Sequence, residues 1–388
     1  MDTSDATVNE DRQAIRMAVR NLCKDFPDQY WRDVDKKEEY PQAFVDALTK
    51  SGYLAALIPE EYGGAGLGIT EASIIMEEIN HSGGASGACH AQMYVMGTLL
   101  RHGSDEQKQR YLPGIARGEL RMQAFAVTEP NAGSDTTRIE TRAVRKGDRY
   151  IVNGQKIFIS RVKQSDLVLL MARTTPYDEV KDKTMGLSVF LVDMRKSKGI
   201  EVQPLDIMIN HATNTLFIED LEIPAENLIG EEGKGFRCII DGWNAERILI
   251  AAEAVGDGRW FVDRASSYAK DRVVFGRPIG QNQGVQFPIA QAYAHVEAAD
   301  LMRYHAAAMF ERKEKCGAEA NMAKLLASEA AWEAANVCLT TYGGYGFARD
   351  YDVERKFRET RLFTVAPVSN NLVLAFLGQN VLGMPKSY

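Results

Sequence analysis

Long apolar runs are missing from this chain: none approaches the roughly 18 residues that a membrane-spanning helix needs, so no membrane partner is expected. Cysteine is sparse. Cys23, Cys89, Cys238, Cys316 and Cys338 are odd in number and show no CxxC spacing, which speaks against a disulfide frame or a thiolate metal site and predicts reduced core thiols. The six histidines form no ligand-spaced cluster, so no metal is expected. Positive charge is also short. A net charge of −7 disfavours a nucleic-acid partner held by a basic surface. The stretch Met1-Asp-Thr-Ser-Asp-Ala-Thr7 lacks the basic and apolar regions of a secretion signal, and a cytoplasmic location is expected. Internal repeats, low-complexity tracts and coiled-coil heptads are absent.

What is present is an ordinary globular balance of 45% hydrophobic and 26% charged residues, in a chain of 388 that can hold two or three domains. Apolar positions such as Ile15, Val19, Leu22 and Phe26 recur at helical steps, and residues from about 10 to 120 read as helical. The glycine-rich stretch from Pro59 to Gly68 lacks the Lys-Ser/Thr ending of a phosphate loop and reads as a connector. Thr70 and Ser104 are candidate helix caps.

From Arg121 the period changes to two. Residues 141–145, 150–152, 156–160, 167–172, 187–192 and 216–221 read as strands, with Lys146-Gly-Asp148 and Asn153-Gly154 as hairpin links. Helices resume near Gly235, interrupted at Phe275-Gly-Arg-Pro278, at Gly343-Gly-Tyr-Gly346 and around Pro367. The expected domains are 1–120, helical; 121–234, β; and 235–388, a helical bundle.

The stretch from Gln123 to Asp135 stands out: an apolar run over Ala124–Val127 breaks at Pro130 into a turn of small polar residues. By itself such a turn is either a surface loop or a cradle of N–H and hydroxyl groups for an anion or a polar ring edge. Its residues Thr128-Glu-Pro-Asn-Ala-Gly-Ser-Asp135 resemble the flavin-contacting signature of the acyl-CoA dehydrogenase family, and further segments resemble that family in the same order along the whole chain. The resemblance implies an α+β multidomain protein with an N-terminal helical domain, a central β-barrel or sandwich and a C-terminal four-helix bundle that assembles as a homotetramer. It also implies FAD as cofactor, an acyl-CoA substrate and an electron-transferring flavoprotein as electron acceptor, in fatty-acid β-oxidation chemistry.

Residue by residue, the resemblance implies that Phe125, Val127 and Thr128 meet the flavin edge and that Ser134 lies near the pyrophosphate and the substrate. Phe158-Ile-Ser160 resembles the family's Trp-Ile-Thr/Ser, in which the aromatic covers the ring and the hydroxyl bonds its N5. Arg272, Phe275 and Gln283 resemble the segment that reaches the FAD of a neighbouring subunit, and Thr340, Gly343 and Gly344 resemble a cofactor turn in which Thr340 replaces the usual glutamine. Ser369 and Asn371 stand where Thr and Glu/Gln usually follow the catalytic base.

That base, a C-terminal glutamate in most of the family, is Pro367 here, which also lacks the N–H offered to the thioester oxygen. A minority branch, with the isovaleryl-CoA and long-chain enzymes, carries its base on a helix just before an arginine. Asn244-Ala-Glu-Arg-Ile-Leu-Ile-Ala-Ala252 resembles that arrangement and implies Glu246 as base, with Asn244 and Arg247 beside the substrate and Glu253 in reserve. Trp243, Leu249 and Ile250 lie near Glu246 at helical spacing, an apolar wall suited to raising a carboxyl pKa. The competing readings are an ion-paired Glu-Arg on a helix face, a desulfinase on the same scaffold (those carry an amide at the helix position), and a flavoprotein scaffold without turnover.

Overall fold

The computed structural model describes the backbone of residues 3–386 and the side chains of residues 10–386 apart from residue 241. Six helices come first: α1 (Thr3–Cys23), α2 (Asp28–Lys37), α3 (Gln42–Lys50), α4 (Ile69–His81), α5 (Ala91–His102) and α6 (Asp105–Ala116). Strands follow: β1 (Ala124–Ala126), β2 (Arg142–Lys146), β3 (Arg149–Ser160), β4 (Leu167–Arg173), β5 (Leu187–Asp193), β6 (Ile200–Pro204), β7 (Thr213–Pro224) and β8 (Leu228–Ile229). Then come α7 (Gly235–Asp271), the short hairpin of β9 (Val273–Val274) and β10 (Arg277–Pro278), and α8 (Gln283–Glu311), α9 (Gly317–Tyr342), α10 (Val353–Arg361) and α11 (Asn370–Phe376). The order helical, β, helical is the expected one, and the change of period at Arg121 falls just before β1. The three sequence regions pack as two compact units: Met1–Pro41, Gly68–Ser86 and Asn244–Tyr388 in one, Gln42–Leu67 and Gly87–Trp243 in the other.

The second unit is built on one mixed sheet ordered β6-β7-β3-β2-β4-β5-β8, with β1 parallel on β4. Strand β4 is apolar from Leu167 to Ala172, with both of its faces buried, and ends in the buried Arg173. Leu167, Leu169 and Met171 join a core with Val95, Leu99, Leu112 and Ile115 of α5 and α6. Val168, Leu170 and Ala172 join a second core with Tyr150 and Val152 of β3 and Leu216, Ile218 and Leu221 of β7. Strands β3 and β7 belong to the same sheet, so the sheet curls over its own inner face as a barrel does. Ser104 caps α6 as expected: its Oγ accepts from Gln107 N at 3.2 Å, and Gln107 Oε1 accepts from Ser104 N at 3.0 Å.

Two local readings are corrected. The β2–β3 turn lies at Gly147, φ +64°, but Asn153-Gly154 makes no hairpin. It is a bulge inside β3, where the register against β7 slips between Val152 and Gly154 and Asn153 exchanges side-chain bonds with Asp220. Glycine is required there for close approach: a Cβ at position 154 would fall 2.4 Å from Thr141 Oγ1 and 2.7 Å from its Cα. Gly154→Ala is therefore expected to cost about 1–3 kcal/mol, measured by chemical denaturation. Thr70, in turn, is no cap. It lies buried in the first turn of α4, and the carboxylates of Glu71 and Glu311 accept from Gly68 N (3.1 Å) and Thr70 N (2.9 Å).

In the first unit a charged cluster joins the helices. Glu77 of α4 is fully buried and accepts from Arg16 of α1 and Arg303 of α8, with Arg259 of α7 also on Oε1. Burial alone would raise its carboxyl pKa, but the Arg16 hydrogen bonds and the charges of Arg303 and Arg259 bring it down to about 2. The five cysteines are buried and none forms a disulfide.

Candidate active site

In the sheet unit, the turn after β1 is held from below by an ion pair. The Glu129 carboxylate accepts from Glu140 N (2.7 Å), Thr141 N (2.9 Å) and the buried Lys156 ammonium (2.8 Å), and Lys156 also donates to Val127 O (2.9 Å). Burial would raise the Glu129 carboxyl, yet the Lys156 charge and these donors hold it below its ordinary value. Burial dominates at Lys156 and brings its ammonium down to about 8 against the pull of Glu129. Glu129 and Ala132 exchange backbone bonds that close the turn at Pro130-Asn131, and Ile157 N donates to Thr128 O at 3.0 Å. These bonds bring Phe125, Val127 and Thr128, all half-buried, beside the end of β3. Sequence reasoning missed Glu129 and Lys156 as a pair. Its only trace was one opposite charge in each of two segments that the resemblance assigns to the flavin.

At that end of β3, Phe158 has φ +59° and is 59% exposed, turned outward by a second register slip against β7. Ser160 lies 3.3 Å from Thr213 Oγ1. Ser134 is exposed beside Gly133, where an added Cβ would meet nothing within 4 Å. The rim is open.

In the helix unit, Glu246 lies on α7 and is 8% exposed, among the buried Ala245, Ile248, Leu249 and Ile250. The expected third member of its wall, Trp243, packs its ring 6.1 Å from Phe236. Arg247 is nearly as buried as Glu246. Its guanidinium is pulled down by desolvation and supported by the Glu246 charge, and it donates to Asn244 Oδ1 at 3.4 Å. Glu253 is fully buried one heptad further along.

Lys324 of α9 fixes the C-terminal turn from the same side. Its ammonium donates to Val368 O and Asn370 Oδ1, both at 2.7 Å, and Ser328 Oγ reaches the same Asn370 oxygen at 3.1 Å. Burial first, and the Arg247 charge second, bring Lys324 down to about 8. Ser369 uses its hydroxyl to cap α11, accepting from Leu372 N, while Asn371 is exposed and Pro367 sits at the surface of the turn. Asn370, not Asn371, is the anchored residue.

Two clefts in this unit gather the remaining candidates. One, of about 670 Å³, is lined by Tyr268, Arg272, Tyr342, Gly343, Gly344 and Tyr345, with Tyr268 stacked on Tyr342 at 4.1 Å. The other, of about 460 Å³, brings Phe275 and Thr340 together with Asn282 and Gly284, and Gln283 lies exposed between those two. Phe275 is 100% exposed. A Cβ at Gly284, Gly343 or Gly344 would find nothing within 4 Å, so a ring or phosphate can approach the backbone there, with the Arg272 fork at hand for the phosphate. These residues fit a dinucleotide such as FAD.

Three family models match the chain in series: the N-terminal domain of acyl-CoA dehydrogenase over residues 9–119, its middle domain over 124–221 and its C-terminal domain over 233–382. The Acyl-CoA dehydrogenase FadE12 of Mycobacterium tuberculosis is 38% identical over 385 residues, 98% of each chain. Among solved structures, one described as the electron transferring flavoprotein of Acidaminococcus fermentans superposes with a TM-score of 0.90 at 32% identity, covering 96% of this chain and 98% of that one. PigA with FAD and proline superposes at 0.89 with 25% identity and the same coverage.

Proposed function

Because the chain belongs to the acyl-CoA dehydrogenase family of FAD-dependent oxidoreductases, we propose that it oxidises an acyl-CoA thioester to the trans-2-enoyl-CoA with Glu246 as the base. The observation that carries this reading is a buried carboxylate on α7 next in sequence to a buried arginine whose charge it supports, in a chain with a proline at the base position of its C-terminal turn. A Glu246 carboxylate oxygen takes the proton from the α-carbon. Arg247 behind it favours the ionised form that can do so, and the surrounding apolar side chains keep water from competing. Lys324 holds the C-terminal turn at Val368 and Asn370, on either side of Ser369. FAD, when bound, supplies the acceptor for the hydride that leaves the β-carbon.

For binding FAD we assign Phe125, Val127, Thr128, Ser134, Phe158 and Ser160 from the sheet unit, and Arg272, Phe275, Gln283, Thr340, Gly343 and Gly344 from the helix unit. Ser369 and Asn371 are weaker members, the first engaged as a cap and the second exposed. Asn244, Arg247 and Ser134 are assigned to the substrate. The wholly exposed Phe275 is suited to reaching a second copy, in keeping with a homotetramer. The domains are assigned as 1–120, 121–234 and 235–388. The electrons pass to an electron-transferring flavoprotein in cytoplasmic β-oxidation.

Anaerobic addition of a panel of acyl-CoA thioesters is expected to bleach the flavin absorbance of the purified holoenzyme. A flavin that no thioester reduces would leave the scaffold reading in its place.

A further inference from the structure

We infer that the acyl group this enzyme takes carries a carboxylate, and that Arg161, beneath the flavin-facing end of β3, is the group that receives it; the inference rests on the acyl-CoA reading above. Arg161 is 4% exposed and follows directly after Ser160; its side chain is turned inward, whereas that of Phe158, 59% exposed, is turned out. Its Nη1 donates to Gly87 O and to His211 Nε2 (3.0 Å), and its Nη2 donates to His90 Nε2 (3.2 Å). Its Nε–H is buried and has no partner. Among the described residues no carboxylate pairs with this guanidinium.

A guanidinium only donates, so both imidazoles accept through Nε2 and are neutral, with their protons on Nδ1. Burial first, then the Arg161 charge and then His90, hold His211 well below its ordinary value. The cluster therefore carries a positive charge that its own residues leave uncompensated. Most buried cations of this chain are handled otherwise: Arg303 meets Glu77 and Asp300, Lys356 meets Asp257, and Lys156 meets Glu129. Arg173 also lacks a carboxylate, but each of its three nitrogens reaches a carbonyl, at Ile139, Thr137 and Thr175. Of the five N–H groups of Arg161 the bonds to Gly87, His211 and His90 use three, leaving the Nε–H and the second Nη2–H.

A buried unpaired cation is costly, and an arriving anion that accepts side-on from Nε and an Nη removes that cost. A carboxylate has the planar fork to do so. The Phe158–Ser160 strand end is assigned above to FAD, and the acyl group is oxidised against that flavin, so the anion that reaches Arg161 is a carboxylate of the acyl group; a phosphate of FAD or coenzyme A is the other source of the same chemistry.

The test compares thioesters matched in length, adipyl-CoA with hexanoyl-CoA and suberyl-CoA with octanoyl-CoA, by kcat/KM and by single-turnover flavin bleaching. The wild type is expected to prefer the carboxylated member of a pair by about 10- to 100-fold, and Arg161→Met to collapse that ratio toward unity. A wild type that prefers the neutral member, or shows no preference, overturns the inference without any variant and leaves the dehydrogenase reading standing. Loss of FAD from Arg161→Met with the ratio unchanged assigns the arginine to a phosphate and likewise overturns it. Failure of every thioester to bleach the flavin defeats the dehydrogenase reading and takes this inference with it.

Discussion

Glu246→Gln is expected to slow flavin reduction by acyl-CoA about 10²- to 10⁴-fold while FAD stays bound. The amide keeps the volume and the polarity of the side chain, so the buried site on α7 is not emptied. What it removes is the ability to accept a proton from carbon. Stopped-flow bleaching measures the rate, and the absorbance of the purified variant reports FAD content. Reduction at the wild-type rate would exclude Glu246 as the base and turn attention to Glu253, the fully buried carboxylate one heptad along the same helix. The variant also separates the rival readings. Desulfinases of this scaffold already carry an amide at the helix position, so a desulfinase would tolerate the change, and a scaffold without turnover would show no reduction in either form.

The second large effect belongs to the helix unit. Glu77→Gln is expected to destabilise the protein by about 3–5 kcal/mol, because it leaves the buried Arg303 and the half-buried Arg16 and Arg259 around a neutral amide. Asp300 still meets Arg259 and Arg303, which places the loss toward the lower end of that range. The same residue shapes the acid side of the stability profile. Its folded pKa of about 2 lies below the ordinary 4.5, so its contribution is present above pH 4.5 and is lost as the pH falls toward 2. Melting temperatures of the wild type should therefore drop through that window, and those of Glu77→Gln should drop less steeply. Parallel acid profiles for the two proteins would show that the carboxylate is not the group being titrated.

Part of this was legible in the chain. The Ser104–Gln107 capping box, the apolar run of β4 and the change of period near Arg121 are local signals, and the elements follow them because the groups that satisfy one another lie within a few residues. The Asn153-Gly154 pair carries an equally strong local signal for a hairpin and yet forms a bulge. There the outcome is set by Thr141 and Asp220, which press on the strand from its neighbours.

The residues that support the candidate site were less legible, since their partners are distant in sequence. Lys156 meets Glu129 across 27 positions, Lys324 meets Asn370 across 46, and Arg161 meets His90 across 71. In the sequence each is a single charge or a single imidazole with no spacing rule attached.

The sequence by itself determined the order of helical and β regions, the family and the two short segments that carry the proposed chemistry, because periodicity and motif are properties of neighbouring residues. Only the tertiary structure decided that Glu246 is shielded from water, that a lysine grips the turn bearing Pro367, and that Arg161 is buried without a carboxylate. Burial and the pairing of buried charges are set by which distant strands and helices come to share a core, and no local pattern records that.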